Sequence, residues 1–564
     1  MELIDSRRLT GLNLQGPGPG AVTEVRFKTD EDVEAAVNSW SDALDTCLRA
    51  LDWPPVARWV RLYSGGATLV IDAPLDALYA ATEINEWAVG CVNGTAPALS
   101  DAIIAIRTSL NEEANPDLIS LQDAALEHNV PFVWDDDEVS LGLGRHSQTW
   151  PAHTLPEPTS LNWNQFKRIP FAYITGTNGK TTTTRMTMSI LSAAGIAHAG
   201  TSTDGVVVNG TEVEKGDWTG PGAARLALRH TDVDLAILET ARGGLLRRGL
   251  VLEGCDASLI TNIANDHLGD YGILSVSDMA QAKGIVCRAV RPDGYRVLNA
   301  DDPHLWPLGH EEGPPVIWFS MTLGEHLHPH LKHGGIAWIR EHGALVLCQG
   351  DQRTPVVEID AIPACHRGRA EHNVENALAA AALAHALGVS QVHICAGLTK
   401  FAGDATDNPG RCNLFELHGV QFLLDFGHNP HGLRAILKMA RGLIDERPDG
   451  RLCITIGQAG DRSDDDLRGL AEEVHNTDPQ RVLLREVPGY ERGRANGEVT
   501  GILNDYLIEH GHSKTNVTTH NDEADAMTAA LQWAKPGDLV VQLVHIDRNA
   551  VQDVLDSWEP HFPN

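Results

Sequence analysis

The chain has 564 residues, 42% of them hydrophobic and 21% charged. That length predicts several domains, and that balance excludes wholesale disorder. The formal net charge of −32, from 76 acidic against 44 basic residues, excludes the broad basic footprint of a nonspecific binder of nucleic acid or anionic membrane, while leaving room for a local pocket for phosphates. No apolar run approaches the roughly 18 residues of a membrane helix. The opening Met1-Glu2-Leu3-Ile4-Asp5 has no basic stretch followed by an apolar one, so no secretory signal is expected. Nine scattered cysteines without a C-x-x-C pair predict reduced thiols and a cytoplasmic protein.

Three blocks are expected: a mixed α/β N-terminal domain over 1–165, a nucleotide-binding domain over 166–405 and a Rossmann-like domain over 406–564. In the first, Asp32–Leu51 carries Val33, Ala36, Val37, Trp40, Ala43 and Leu44 at helical spacing. Ala67–Ile71 reads as a strand, Leu118–His128 as a helix and Val130–Val133 as a strand. The Pro-bearing stretch from Trp150 to Thr159 reads as a linker. Trp134, Trp150 and Trp163 beside it are expected to pack rather than to cage a ligand. In the second block, Phe171–Thr175 has the apolar, partly β-branched character of a buried parallel strand. Thr181–Ala194 follows as a helix, and Leu235–Glu239 and Ala257–Ile263 as strands. From Pro314 to Ile362 a β-rich insertion is predicted, with strands at Val316–Ser320, Ile336–Arg340 and Ala344–Cys348 and a turn at Glu341-His342-Gly343. Asn373–Ala386 is an Ala-rich helix. The third block alternates: Phe422–Asp425, Gly432–Arg441, Leu452–Ile456, Asp465–Val474, Val482–Leu484 and Leu539–Val544. Strands alternating with helices imply parallel sheets covered on both faces, an α/β fold.

The sharpest local signal is Gly176-Thr177-Asn178-Gly179-Lys180-Thr181-Thr182, between a predicted strand and a predicted helix. Glycines let backbone N–H groups turn toward an anion, and a helix start adds unpaired donors and partial positive charge. Lys180 would reach the terminal phosphates of a nucleotide, and the hydroxyl of Thr181 or Thr182 would hold Mg²⁺. Ile174 stands where the longer form of this loop has a glycine, so the loop is the short G-x-x-G-K-T-T variety.

Further segments follow in order: Thr203-Asp204-Gly205; Gly216-Asp217-Trp218-Thr219-Gly220-Pro221; Leu238-Glu239-Thr240-Ala241-Arg242-Gly243-Gly244; Thr261-Asn262-Ile263-Ala264-Asn265-Asp266-His267-Leu268-Gly269; Val297-Leu298-Asn299-Ala300-Asp301-Asp302-Pro303; Pro409-Gly410-Arg411; Leu424-Asp425-Phe426-Gly427-His428-Asn429-Pro430; and Gly460-Asp461-Arg462. With the loop, they make the chain from about Ile169 onward resemble the Mur ligase superfamily, and within it the Mur-like half of the cyanophycin synthetase family. The resemblance implies ATP- and Mg²⁺-dependent formation of an amide bond between an amine, such as an amino acid, and a carboxylate of an amino-acid or small-peptide substrate. It implies that Glu239, with Thr181, helps to hold one Mg²⁺, that His267 holds a second, and that Lys283 matches the lysine that several members carbamoylate. Asn376 would approach the adenine, Arg411 and Asp425 the phosphate–ribose end, and Asp461, Arg462, Arg492 and Arg494 the incoming amine substrate, whose carboxylate arginine suits. Self-association is implied as well.

Pro131 to His146 resembles the end of the N-terminal region of that family, and an ATP-grasp domain is expected to be absent, leaving one ligation activity. Asp5-Ser6-Arg7-Arg8 resembles the opening of some peptidoglycan ligases without further support for a UDP-sugar site. His326, His328, His330 and His333 are expected in a solvated loop rather than around a metal. The competing readings are a non-catalytic nucleotide-binding partner and a peptidoglycan-precursor ligase.

Overall fold

Phe171–Thr175 is fully buried because every residue of it is apolar, β-branched or hydrogen-bonded, and it forms the fifth strand of an eleven-stranded sheet. The computed structural model describes residues 1–559 except 267 and 448. In spatial order the sheet runs Thr211–Lys215, Gly205–Val208, His198–Ser202, Leu235–Glu239, Phe171–Thr175, Cys255–Ile260, Val290–Asn299, Val316–Ser320, Ile336–Glu341, Ala344–Gln349 and Gln352–Glu358. The seven middle strands, from His198–Ser202 to Ile336–Glu341, are parallel, and antiparallel hairpins close both edges. After Phe171–Thr175 the chain builds toward one edge and then, from Cys255, toward the other. The strand order thus reverses at Phe171–Thr175, and ligands of open parallel sheets bind at the carboxyl ends of strands at such a point.

Register decides what stands there. Glu239 lies beside Ile174, and Ile260 beside Thr175. Thr240 N donates to Ile174 O (2.7 Å), Thr175 Oγ1 to Thr240 O (2.7 Å) and Thr261 N to Thr175 O (3.0 Å). The helix Lys180–Ala193 covers the sheet beside Glu371–Ala386, whose run of buried alanines permits close approach to its neighbours.

The stretch from 314 to 362 is no insertion. Val316–Ser320 and Ile336–Glu341 continue the parallel sheet, and the predicted turn at Glu341-His342-Gly343 joins the antiparallel pair that ends it. The histidine-rich segment is a short helix, Leu327–Lys332, rather than a loop: Leu327 and Leu331 are buried. His330 shares a hydrogen bond with Ile336 O and His333 with Pro329 O. Among the described residues no group of three or more His, Cys, Asp or Glu is placed to hold a metal.

The C-terminal sheet runs Asn413–Leu417, Val420–Asp425, Leu539–Leu543, Leu452–Ile456, Arg481–Arg485 and Val517–His520, parallel except for the first hairpin. The N-terminal block has an antiparallel sheet, Glu2–Leu9, Gly20–Arg26, Gly66–Asp72 and Arg58–Tyr63 in spatial order. The helices Val33–Ala50 and Leu78–Asn93 cover one face. The expected linker begins as a strand, Gln148–Pro151, in a small three-stranded sheet. Trp150 and Trp163 pack edge-on against Phe166 at 6.0 and 6.1 Å.

The other face of the N-terminal sheet meets the central domain. Arg61 donates to Gly272 O (3.0 Å) and Tyr271 O (2.6 Å), Thr10 N to Arg248 O (2.8 Å), and the Arg7 guanidinium lies 4.5 Å from the Tyr271 ring centre. Arg7 also bridges Glu24 (3.0 Å), and Arg8 clasps Asp136 through two bonds of 2.9 Å. Asp5-Ser6-Arg7-Arg8 is therefore strand and docking surface. No helix among the described residues is long and apolar enough to cross a membrane, and all nine cysteines are free.

Asn85 ties the N-terminal helices to their sheet: buried Trp40 donates Nε1–H to Asn85 Oδ1 (2.9 Å), and Asn85 Nδ2 donates to Leu69 O (3.1 Å). Asn85→Ala strands the indole N–H and is expected to cost roughly 2 kcal/mol of stability, read as a lowered midpoint in urea unfolding followed by tryptophan fluorescence.

Candidate functional site

The loop 176–179 leaves the central strand and enters the helix Lys180–Ala193. Its two glycines are forced. Gly176 has φ +146 and Gly179 φ +84, and a Cβ would stand 1.9 Å from Thr261 Oγ1 at the first and 2.2 Å from Asn376 Oδ1 at the second. Thr177 N bonds Asn262 O (2.8 Å) and Asn178 N bonds Asn262 Oδ1 (2.9 Å). No side chain caps the helix, so its first amides face the cleft, the arrangement that receives an anion.

Two lysines converge on this turn. Lys180 Nζ donates to Gly176 O and Thr177 O, both at 3.0 Å, and Lys283 Nζ to Gly176 O at 2.8 Å. Burial lowers the pKa of each; for Lys283 the fall is large, and the neighbouring Lys180 charge deepens it. Glu239 is 2% exposed. Thr181 Oγ1 donates to its Oε1 (3.2 Å), while Oε2 is buried without a partner. Burial, opposed by Lys180 and Arg411, pushes its carboxyl up to about 7. A buried carboxylate oxygen without a partner, beside a hydroxyl at a phosphate-binding helix start, fits a hard divalent cation with oxygen ligands. His267 lies outside the described residues.

The cleft around these groups has a volume of about 1230 Å³ and is lined by both the central and the C-terminal domain. Asn376 lies against Gly179 and accepts from Thr183 Oγ1 (3.4 Å). Arg411 donates to Thr203 Oγ1 (3.3 Å) and lies 4.4 Å over the Phe426 ring. Asp425 accepts from Cys412 N (2.8 Å) and Gly427 N (2.7 Å). Its carboxylate holds Cys412 in the left-handed region at φ 55, and with it the backbone that aims Arg411. Asp461 and Arg492 line the cleft and are exposed. Arg462 lines it too, but its guanidinium is bonded to Asp266 (2.6 Å). Arg494 does not line the cleft: it donates to Gly460 O (3.0 Å), Arg462 O (2.8 Å) and Asp464 (2.8 Å), bracing the loop that carries Asp461 and Arg462.

The central and C-terminal domains are latched to each other across the cleft. Asn178 and Asn429 exchange amide hydrogen bonds of 3.2 and 3.0 Å, and His431 Nδ1 lies 3.0 Å from Asn178 Nδ2. Asp204 takes Arg185 (3.2 Å) from its own domain and Arg548 (2.6 Å) from the other. Asn408 donates to Thr182 Oγ1 (3.1 Å). Asn429 and Asp204 stand in motifs visible in the sequence; Arg185, Asn408, His431 and Arg548 carry no such signal.

Residues 174–384 match the Mur ligase middle domain and residues 410–543 the Mur ligase, glutamate ligase domain. The chain belongs to the Mur ligase superfamily. It is 37% identical over 375 residues to a cyanophycin synthetase of Crocosphaera subtropica, covering 66% of this chain and 42% of that protein. It is 26% identical over 401 residues to the UDP-N-acetylmuramoyl-L-alanyl-D-glutamate--2,6-diaminopimelate ligase of Geobacter metallireducens, covering 66% and 73%. The aligned part thus spans less than half the length of the cyanophycin synthetase. Among solved structures, a bifunctional folylpolyglutamate synthase/dihydrofolate synthase of Yersinia pestis complexed with AMPPNP and Mn ion is 20% identical, covering 69% of this chain and 88% of that one, with a TM-score of 0.48.

At the rear of the cleft, burial pushes Glu375, bonded by Asn299, up to about 7. Its folded-state pKa stands above the ordinary 4.5, so its stabilising contribution is full below about 4.5 and is lost as pH rises through about 7. Glu375→Gln is therefore expected to be more stable than wild type at pH 8 and nearly equal to it at pH 5. The difference, about 2 kcal/mol after discounting for the side chain's partial access to the cleft, is read by urea unfolding at the two pH values.

Proposed function

We propose that this chain is an ATP-dependent, ADP-forming acid–amino-acid ligase that activates a substrate carboxylate as an acyl phosphate and transfers the acyl group to an amine. The observation that carries the reading is the pairing of the partnerless Glu239 oxygen with Lys180 and Lys283 at an uncapped helix start.

In this reading the amides at the start of Lys180–Ala193 bind the phosphates, and Lys180 turns from the loop carbonyls to the terminal phosphoryl oxygens, stabilising charge there. Glu239 and the Thr181 hydroxyl would hold Mg²⁺, which supplies charge neutralisation on the phosphate oxygens. The substrate carboxylate attacks the terminal phosphorus, the bond to ADP breaks, the amine attacks the acyl carbon, and phosphate leaves. Asn376 borders the base region, while Arg411, set by Asp425 and stacked on Phe426, faces the phosphate–ribose end. Asp461 and Arg492 stand where the amine substrate enters, and Arg462, through Asp266, ties that wall to the central domain. Closure of the C-terminal domain over the loop, through Asn429 and Asn178, keeps water from the acyl phosphate. The family resemblance assigns the second metal position to His267. It also marks Lys283 for carbamoylation, and burial, by lowering the pKa of Lys283, favours the uncharged amine that adds CO₂. A reducing, ATP-rich cytoplasm suits nine free thiols.

ADP release should rise when a suitable carboxylate and amine are supplied together. Lys180→Ala should lower that rate by at least about a hundredfold while leaving the thermal transition in place. An ATP-binding chain that shows no substrate-stimulated release across a broad panel would be a nucleotide-binding partner instead. In ¹³C-bicarbonate buffer, wild type should give a carbamate carbon resonance that Lys283→Arg lacks; its absence from wild type would remove that role.

A further inference from the structure

The strand Arg481–Arg485 of the C-terminal sheet ends in a charged side chain shut away from solvent: Arg485 is 0% exposed. Its Nη2 lies 3.0 Å from Glu523 Oε1, 2.9 Å from Leu543 O and 3.1 Å from His545 Nδ1. Its Nε and Nη1 are buried with no partner among the described residues. Glu523, buried at the start of the helix Glu523–Trp533, accepts from three consecutive amides. His545 N donates to Oε1 (2.6 Å), Ile546 N to Oε1 (3.2 Å) and Asp547 N to Oε2 (2.9 Å). A buried ion pair adds little stability relative to apolar packing, and unmatched buried N–H groups subtract from it. What this pair supplies is geometry: one carboxylate fixes the turn 545–547, which follows the strand Leu539–Leu543.

Two paths lead from that turn to the central domain. On the first, a guanidinium only donates, so His545 Nδ1 accepts from Arg485 and the ring proton sits on Nε2, 3.4 Å from Gly427 O. Burial, and next the charge of Arg485, hold this ring well below the ordinary histidine pKa, in the neutral form that the pattern requires. The ring stands edge-on to Phe426, with centres 5.1 Å apart. Phe426 in turn lies under the guanidinium of Arg411, which bonds Thr203. On the second path, Asp547 caps the helix Arg548–Asp556 by accepting from Ala550 N (2.9 Å). Arg548, the first residue of that helix, bonds Asp204 (2.6 Å). Thr203 and Asp204 are neighbours in the chain, so both paths end on one segment of the central domain.

We infer that Arg485 and Glu523 are positioning residues of the ligase centre: by fixing the turn 545–547 they set His545 behind Phe426 and Arg548 toward Asp204, and so dock the C-terminal domain on the segment that carries Thr203 and Asp204. Neither residue lines the cleft, whereas His545 and Ile546 of the turn do, so the pair acts through the turn. Neither stands in a segment that carries the family resemblance. The inference rests on the ligase reading for what Arg411 does at the nucleotide; the docking role stands on the contacts themselves.

The test uses the full chain and two readouts. Glu523→Gln keeps the size of the side chain but accepts through one oxygen only. In amide hydrogen exchange without ligand, it is expected to speed exchange in peptides spanning 202–208, in the central domain, as well as in those spanning 543–550. A merely local structural role would leave the 202–208 peptides at the wild-type rate. In calorimetry with Mg²⁺, AMPPNP affinity is expected to fall about tenfold in Glu523→Gln, which loses both paths, and about threefold in Arg548→Ala, which loses one. The double variant should bind no more weakly than Glu523→Gln alone, because both changes break the same path. Should Glu523→Gln fail to fold, Glu523→Asp, which keeps the charge beside Arg485 and draws the oxygens back by one carbon, is read in the same way. Wild-type exchange at 202–208 in a folded variant would overturn the inference, as would losses that multiply to about thirtyfold in the double variant; either leaves the ligase reading standing. Failure of wild type to bind AMPPNP would overturn the ligase reading, and with it the role of the Arg411 path, while the exchange measurement, which needs no nucleotide, still decides the docking role.

Discussion

The parallel pairing of Phe171–Thr175 between Leu235–Glu239 and Cys255–Ile260 is the constraint on which the site depends. It sets three strand ends side by side: one leads into the anion-receiving turn, one ends in the buried carboxylate of Glu239, and one leads through Thr261 and Asn262 to Asp266. Slipping one strand by a single residue would turn Glu239 to the opposite face of the sheet. The bonds of Thr240 N to Ile174 O, Thr175 Oγ1 to Thr240 O and Thr261 N to Thr175 O hold the three strand ends in this register.

The electrostatics follow from that geometry. Two lysines, a carboxylate and a helix start are crowded into a buried space, and each group is held away from its ordinary protonation behaviour by desolvation. Such a cluster is costly unless an ion or ligand completes it. Perturbed groups lining one cleft are the physical signature of a binding or catalytic centre. The Arg411–Thr203 and Asn178–Asn429 contacts bring a second domain to the same place, so the site exists in full only when both domains meet.

The N-terminal domain has a structural part in this centre. One face of its antiparallel sheet buries its helices, while the other presents Arg7, Arg61 and the backbone near Thr10 to the loop at Tyr271 and to the turn after Arg248. It therefore braces from behind the segment 242–248, which lines the cleft. This is why Arg7 and Arg8, which stand in a run resembling a nucleotide-sugar motif, are occupied by carboxylates, backbone carbonyls and an aromatic ring.

Local chemistry was legible in the sequence alone. The strand–turn–helix with its two glycines, the apolar strands Leu235–Glu239, Val316–Ser320 and Leu452–Ile456, and the alternating character of the last block all rest on interactions between residues close in the chain. Tertiary structure alone decided that the 314–362 stretch extends the central sheet, that Leu327 and Leu331 pull the histidine-rich segment into a helix, that Asp266 holds Arg462, and that Arg494 serves a loop instead of the cleft. The physical reason is the same for each: pairing register and ion-pair choice depend on partners tens to hundreds of residues away. An arginine's residue type records that it needs an anion, but not whether that anion is a neighbouring carboxylate or a ligand.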